Sequence, residues 1–105
     1  MPVLIKYCEG FHWDKGNSEK NWVKHKIKRI ECEEIFFNLP LVIGEDEKHS
    51  NTEKRFYALG KTKSERFLFI SFTIRNNLIR VISARGMNRK ERTIYEEKIE
   101  KSTEI

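Results

Sequence analysis

The chain has few of the residues that mark secreted or membrane proteins. It holds two cysteines, Cys8 and Cys32, without CxxC pairing, and its longest strand-like apolar run, Phe67 to Ile74, includes two hydroxyl side chains. A membrane helix needs about 20 apolar residues. The only apolar start at the N-terminus is Val3 to Ile5, which is too short for a signal peptide. We therefore expect a cytoplasmic protein without disulfides or a membrane span.

Common catalytic motifs are missing as well. The sequence has no GxGxxG, GxxxxGK[ST] or GxSxG motif, so nucleotide cofactors and a serine-hydrolase mechanism have no support. The histidines His12, His25 and His49 lack HxxxH or HExxH spacing and are not clustered with cysteines. We expect no metal site and no cofactor. Cys32 lies among acids in a predicted packed helix, where a raised thiol pKa and a core position are expected.

Charge is distributed unevenly along the 105 residues, which carry a net charge of +5. Residues 1–30 hold 7 basic and 3 acidic groups, residues 31–55 hold 3 and 7, and residues 56–105 hold 11 and 6. Two basic blocks therefore flank an acidic one. This arrangement suits a basic cleft built from both ends of the chain, and so a polyanionic partner.

Apolar periodicity predicts one α+β domain over residues 1–105, with an antiparallel sheet of three to four strands, two short N-terminal helices and a C-terminal helix. Strand-like runs are Val3–Tyr7, Leu39–Ile43, Arg55–Leu59, Phe67–Ile74 and Leu78–Ser83. The predicted helices run from Ser18 to about His25, through Cys32–Phe36 until Pro40 ends the second, and from Asn88 to about Lys101.

Turn signals divide these elements. Gly10 predicts a turn before Phe11 and Trp13, and the polar stretch 44–52 predicts a loop. Asn76-Asn77 predicts a tight hairpin turn, because asparagine tolerates positive φ. Asn88, with Glu91 three residues later, forms a capping-box pattern at the start of the last helix.

Five cations are concentrated where a strand is predicted to lead into the last helix. The stretch IRVISARGMNRKERTIYEE, residues 79–97, carries Arg80, Arg85, Arg89, Lys90 and Arg92. Guanidinium groups bind phosphate diesters bidentately and stay charged at any cellular pH. The junction therefore predicts a phosphate-binding site, and a solvated basic helix face is the alternative.

Such groups suit the cleavage of RNA without a metal. The 2′-hydroxyl of RNA attacks the neighbouring phosphate once a base removes its proton, and fixed cations meet the charge that develops. A histidine, lysine or tyrosine can transfer the proton, and each such group contributes about 10²–10⁴-fold.

Four ordered signatures resemble the BrnT family, the toxin half of a bacterial type II toxin–antitoxin pair. They are FHWD at 11–14, NxxKH at 21–25, KRFYALG at 54–60 and the basic junction, and together they cover roughly residues 11–97. The resemblance implies a RelE-like fold, ribonuclease activity on RNA, and inhibition by a ribbon-helix-helix antitoxin, BrnA. DNA would be contacted only through the antitoxin complex.

The resemblance also suggests roles for individual residues. Catalytic candidates are Lys24, His25, Arg55, Arg85 and Tyr95, and RNA-binding candidates are Arg80, Arg89, Lys90 and Arg92. Each has a structural alternative. Arg85 can form a salt bridge to an acid such as Glu96, Tyr95 can be a core residue, and the Lys24-His25 pair can be a charge at a helix C-terminus.

The chain departs from the family pattern at Asn17, where a lysine is usual, at Lys26, where a glycine follows KH, and at Gly86 in SARGMN, where SARKAT is frequent. Trp13 and Asp14 are expected to lock the N-terminal turn rather than to contact substrate. A non-catalytic RNA-binding or protein-interaction module of the same fold is the alternative function. A translation-associated accessory domain differs little from it on sequence.

Overall fold

A computed structural model describes residues 8–18, 25–49 and 53–103. The elements bounded within these ranges are β1 (Gly10–Phe11), α1 (Lys15–Ser18), α2 (Arg29–Phe37), β2 (Val42–Glu45), a 3₁₀ turn (Glu47–His49), β3 (Phe56–Lys61), β4 (Phe67–Arg75), β5 (Leu78–Gly86) and α3 (Arg89–Thr103). None of the helices in these ranges is long and apolar enough to cross a membrane.

The strands form one five-stranded sheet in the order β1-β5-β4-β3-β2 within the described residues. Strands β2 to β5 are antiparallel neighbours, but β1 pairs in parallel with β5, so the sheet is mixed. The α+β class and the antiparallel strands β2 to β5 are therefore confirmed, whereas β1 is a fifth, parallel strand that the predicted sheet of three to four antiparallel strands lacks. Gly10, predicted as a turn, lies in β1, which has only two residues and so shows no alternation that sequence reading can detect.

The central hairpins follow the predicted local signals. Asn76 and Asn77 have φ values of 51° and 63° and connect β4 to β5, which confirms the predicted tight turn. Strands β3, β4 and β5 overlap the predicted runs and extend one to three residues further at their C-terminal ends. Cross-strand hydrogen bonding extends these strands beyond the apolar residues that signal them.

Helix α2 covers one face of the sheet and forms the larger core. Its buried residues Cys32, Ile35 and Phe36 pack against strand residues such as Phe72, whose ring centre lies 5.3 Å from that of Phe36. A Cβ atom added to Gly60 of β3 would lie only 3.0 Å from the Cβ of Ile35. Glycine at this position therefore allows α2 to approach the sheet closely.

Helix α3 covers part of the opposite face. Tyr95 is fully buried there with Leu59 and Val42, and the ring of Phe67 meets that of Tyr95 edge-on at 6.0 Å. The other part of this face carries polar and aromatic side chains of β4 and β5, because residues two apart on a strand share a face. That uncovered part is where a ligand has access.

Other boundaries differ from the predictions. Ser18, predicted to cap a helix, is the last residue of α1, and residues 19–24 of the predicted helix lie outside the described residues, as does the predicted strand 3–7. Strand β2 begins at Val42 instead of Leu39, whose side chain is exposed. The predicted loop 44–52 contributes Gly44 and Glu45 to β2, since these residues pair with β3.

Candidate nucleic-acid interface

The junction between β5 and α3 is held by one carboxylate. Both terminal nitrogens of Arg85 lie 2.7 Å from oxygens of Glu91. Glu91 Oε1 also accepts a hydrogen bond from the backbone N–H of Asn88 at 2.9 Å, and Asn88 Oδ1 accepts one from the N–H of Glu91 at 2.8 Å. The predicted capping box is confirmed. The partner of Arg85 is Glu91, not Glu96, which pairs with Arg92.

This ion pair shifts both groups toward their charged forms. The pKa of Arg85 is raised, chiefly by its hydrogen bonds to Glu91. Burial by itself would raise the pKa of Glu91, but the hydrogen bonds from Arg85 and Asn88 and the charge of Arg85 outweigh burial and lower it. The side chain of Glu91 is 15% exposed and that of Arg85 is 38% exposed.

Aromatic rings adjoin the ion pair on the uncovered sheet face. The rings of Tyr57 and Phe69 are parallel within 7°, with centres 6.1 Å apart, and the guanidinium carbon of Arg85 lies 4.3 Å from the centre of the Phe69 ring. They border a cleft of about 270 Å³ between the sheet and the start of α3. We call this space the aromatic cleft; Leu59, Ile94, Lys90 and Glu91 also line it.

The cations of α3 differ in their partners. Arg89 and Lys90 are exposed and form no ion pair with any residue that the structure describes. Arg92 packs 3.5 Å over the ring of Phe67 and bonds to Glu96 at 3.0 Å. Arg89 and Lys90 therefore offer exposed positive charge at the start of α3, where Lys90 lines the cleft, whereas Arg92 is held against the protein.

A second polar cluster lies on the same sheet face, at the other end of β5. Arg80 bonds to Asp14 at 2.8 and 3.3 Å, and His12 Nε2 lies 3.8 Å from the same carboxylate. The hydrogen bond from Arg80 is the largest influence that lowers the pKa of Asp14. Arg80 pairs with Thr73 of β4, and Arg85 pairs with Phe69, four residues earlier. Because a strand rises about 3.3 Å per residue, the two arginines are about 13 Å apart along the sheet.

Arg55 and Arg75 belong near this second cluster. Arg75 bonds to Glu53 at 2.7 and 2.9 Å, and this hydrogen bonding is the largest influence that lowers the pKa of Glu53. The charges of Arg55 and Arg80 act in the same direction. Arg55 therefore lies in the field of Glu53 and away from the Arg85–Glu91 pair.

The proton-transfer candidates are not gathered at Arg85. Tyr95 is 0% exposed and donates its hydroxyl to the carbonyl of Pro40 at 2.6 Å, and burial raises its pKa. The His25 carbonyl accepts a hydrogen bond from Arg66, which also bonds to Glu31 at the start of α2, so the backbone of His25 lies on the α2 side of the sheet. Lys24 lies outside the described residues.

A family model described as the ribonuclease toxin BrnT of type II toxin–antitoxin systems matches residues 13–91. The match covers about three quarters of the chain and includes both Arg85 and Glu91. The chain belongs to the BrnT family. A comparison with curated proteins found no match. Membership of a type II toxin–antitoxin family implies an RNA substrate and an antitoxin partner.

One departure from the BrnT pattern has a structural explanation. Asn17, where the family usually has lysine, is buried and donates to the carbonyls of His12 and Val81 at 3.1 and 2.8 Å, while it accepts from the N–H of Asp14 at 2.8 Å. An unpaired buried backbone group costs about 1–3 kcal/mol, so this amide stabilises the N-terminal turn. Lys26, where the family pattern has glycine, has a φ of 56°, in the left-handed region that glycine adopts without strain. The structure gives no account of Gly86.

The N-terminal signature has a structural role in this chain. Trp13 donates its indole N–H to Glu33 at 2.7 Å, and Asp14 accepts from the N–H of Gly16 at 2.9 Å. This confirms that Trp13 and Asp14 lock the N-terminal turn. Cys32 is buried, and burial and then its acidic neighbours raise its pKa to about 12, which confirms its predicted core position.

Two residues near charged groups were missed by sequence reading. Glu91 was recognised only as a helix cap, although its place six residues after Arg85, across a strand-to-helix junction, was the available signal. His12 was considered only as a metal ligand. Its proximity to Asp14 depends on the turn that Asn17 holds, which no local pattern reveals.

Replacing Glu91 with glutamine should remove an acid-dependent part of the stability while keeping a cap. Because the folded chain lowers the pKa of Glu91, this contribution is complete above the unfolded pKa of about 4.3 and is lost as the pH falls through the folded value. Between about pH 5 and pH 3 the urea midpoint of the native chain should fall more steeply than that of Glu91→Gln. Glu96→Gln, on the same helix, is the control. Equal slopes for native chain and Glu91→Gln would contradict the prediction.

Proposed function

We propose that this BrnT-family chain is an endoribonuclease that cleaves RNA without a metal at the β5–α3 junction, where Arg85 and Glu91 are the reacting pair. The observation that carries the proposal is their bidentate contact at the edge of the aromatic cleft. A guanidinium that binds a carboxylate in this way has the geometry to bind a phosphate instead. The carboxylate thus holds Arg85 ready for its substrate.

The proposed reaction uses the nucleophile that RNA supplies. Glu91 accepts the proton of the 2′-hydroxyl, the 2′ oxygen bonds to the adjacent phosphorus, and the bond from phosphorus to the 5′ oxygen breaks. The leaving 5′ oxygen takes a proton from water, and the hydroxide that remains takes the proton from Glu91, which restores the carboxylate. Arg85 stabilises the charge that develops on the phosphorane. The products are a 2′,3′-cyclic phosphate and a 5′-hydroxyl end.

The choice of Glu91 as the base follows from position. A general base must come within about 2.6–3.2 Å of the proton that it removes, directly or through one water. Glu91 touches Arg85, whereas the backbone of His25 lies on the α2 side of the sheet. Tyr95 is excluded from our mechanism because its hydroxyl is buried and already donated. Lys24 lies outside the described residues and stays a predicted catalytic residue.

We assign RNA binding to the exposed cations of α3 and the sheet face beyond them. Arg89 and Lys90 are available to phosphates beside the junction. Arg80 and Arg55, at the second cluster, would contact a strand of RNA that runs along β5. The ion pair with Asp14 reduces the positive charge and the number of hydrogen-bond donors that Arg80 has for a phosphate. A non-catalytic module would use these cations alone, and cleavage assays separate the two functions.

Purified protein should cleave single-stranded RNA in excess EDTA and leave 2′,3′-cyclic phosphate and 5′-hydroxyl ends, because the attacking group is the neighbouring 2′-hydroxyl. End analysis of the fragments measures this outcome, and RNA with 2′-O-methyl groups is the resistant control. Chelator-sensitive cleavage that leaves 5′-phosphates would overturn the mechanism. RNA binding without cleavage would favour the non-catalytic module.

Substitutions at the junction should separate chemistry from binding. Arg85→Ala should lower the cleavage rate by roughly 10²-fold or more and reduce RNA affinity much less, since a preorganised donor acts mainly in the transition state. Glu91→Gln should also lose cleavage while it keeps the cap. Lys90→Ala should instead weaken binding and reduce the salt slope by about 0.7 on single strands. Rate and affinity measured on each variant test this.

A cleavage rate of Arg85→Ala within a few-fold of the native rate would remove Arg85 from the transition state. The pH profile of the native chain identifies the base. A limb that falls between about pH 7 and 6, and that His25→Gln abolishes, would assign the proton transfer to His25 and not to Glu91.

We also propose that the antitoxin partner is a ribbon-helix-helix protein, on the basis of the ordered BrnT signatures. Expression of the chain alone should arrest bacterial growth, and co-expression of a ribbon-helix-helix protein encoded beside it should restore growth. Arg85→Ala expressed at the same level is the non-toxic control. Relief only by an adjacent protein of another fold would overturn this partner type.

A further inference from the structure

The aromatic cleft has features that RNA cleavage at Arg85 does not explain. Tyr57 and Leu59 of β3 and Phe69 of β4 form its floor, and Ile94 of α3 forms a wall. Its volume of about 270 Å³ lies below the roughly 300–1,000 Å³ of pockets for drug-sized ligands. A cleft of this size suits one flat ring system.

We propose that the aromatic cleft is a nucleobase subsite, which holds one unpaired base of the RNA against Tyr57. This inference rests on the proposed function and adds a recognition element to it. Proteins that recognise single-stranded RNA stack its exposed bases on aromatic side chains. Tyr57 and Phe69 are stacked on each other, with ring planes within 7° and centres 6.1 Å apart, and Arg85 lies over the Phe69 ring. Tyr57, which lines the cleft, is therefore the ring on which a base would stack.

The orientation of the floor is set by the backbone beneath it. Tyr57 lies across from Gly44 of β2, and a Cβ atom added to Gly44 would collide with the Tyr57 ring. The ring therefore occupies the space that a side chain on β2 would fill. A surface held in this way loses little side-chain freedom when a base stacks on it.

The charges around the cleft connect the base to a phosphate. The guanidinium of Arg85 lies over the Phe69 ring, and Lys90 lines the cleft without an ion pair to any described residue. A base on the floor would place its neighbouring phosphate beside these cations and beside Glu91. The subsite would therefore position the nucleotide whose phosphate reacts, and so choose the bond that is cut.

A cycle that removes either the base or the ring tests this inference. Once the bond cut by the native chain is mapped, 2′-O-methyl RNA of that sequence serves as an uncleavable probe, with matched probes abasic at each nucleotide beside the bond. One abasic change should weaken native binding by about 5- to 100-fold, the scale of one stacked base. For Tyr57→Ala the same change should have much less effect, because the partner is absent.

Two further variants control for folding and for charge. Ile94→Phe should fill the cleft from α3 and give the base-bearing probe the affinity of the abasic one, while Lys90→Ala should weaken both probes equally. Phe37→Ala removes an aromatic ring that is 79% exposed on α2, away from the cleft, and should change neither affinity. Thermal unfolding checks that each variant is folded.

The outcomes separate the two levels of the proposal. The base subsite would be overturned if no abasic change weakened binding to the native chain. It would also be overturned if an abasic change weakened binding equally in the native chain, Tyr57→Ala and Ile94→Phe. Either result would leave the ribonuclease assignment unchanged. A native chain that neither cuts nor binds any RNA would overturn both.

Discussion

The ion pair between Glu91 and Arg85 is the interaction on which both the start of α3 and the candidate site depend. The Glu91 carboxylate accepts two hydrogen bonds from Arg85 and one from the backbone of Asn88, so one group ends β5, begins α3 and orients the guanidinium. Because α3 begins there, its buried Tyr95 reaches the second sheet face and closes that core. A change at Glu91 therefore affects both the helix start and the orientation of Arg85, and glutamine keeps an acceptor for the backbone N–H of Asn88 while it removes the charge.

Pairing determines how the positive charge of the protein is used. The net charge is +5, yet Arg75, Arg80 and Arg85 are each bound to a carboxylate. Such pairs hold the guanidinium groups in fixed directions on the uncovered sheet face, while Arg89 and Lys90 extend from α3 into solvent. Paired arginines suit directed contacts with a substrate, and the exposed cations suit attraction that does not depend on RNA sequence.

Local signals predicted the elements that neighbouring residues stabilise. The Asn76-Asn77 turn, the Asn88 cap and α2 all lie where their patterns indicated, because each depends on contacts within a few residues. Strand β1 has no such signal. It forms because β5 offers an edge: Glu9 donates a backbone hydrogen bond at 2.7 Å to Asn77, just before β5, and His12 donates one at 2.8 Å to Ile79 of β5. A pattern over two residues contains no information about that partner.

The sequence by itself determined the α+β class, the central hairpins, the basic strand-to-helix junction and the four signatures of the BrnT family. Tertiary structure alone decided which candidates meet. It placed Arg85 on Glu91 beside Tyr57 and Phe69, which come from other strands, and it buried Tyr95. The reason is physical: charge and periodicity are properties of a segment, whereas a cleft or an ion pair depends on sheet order and register, which are set by contacts between residues distant in sequence.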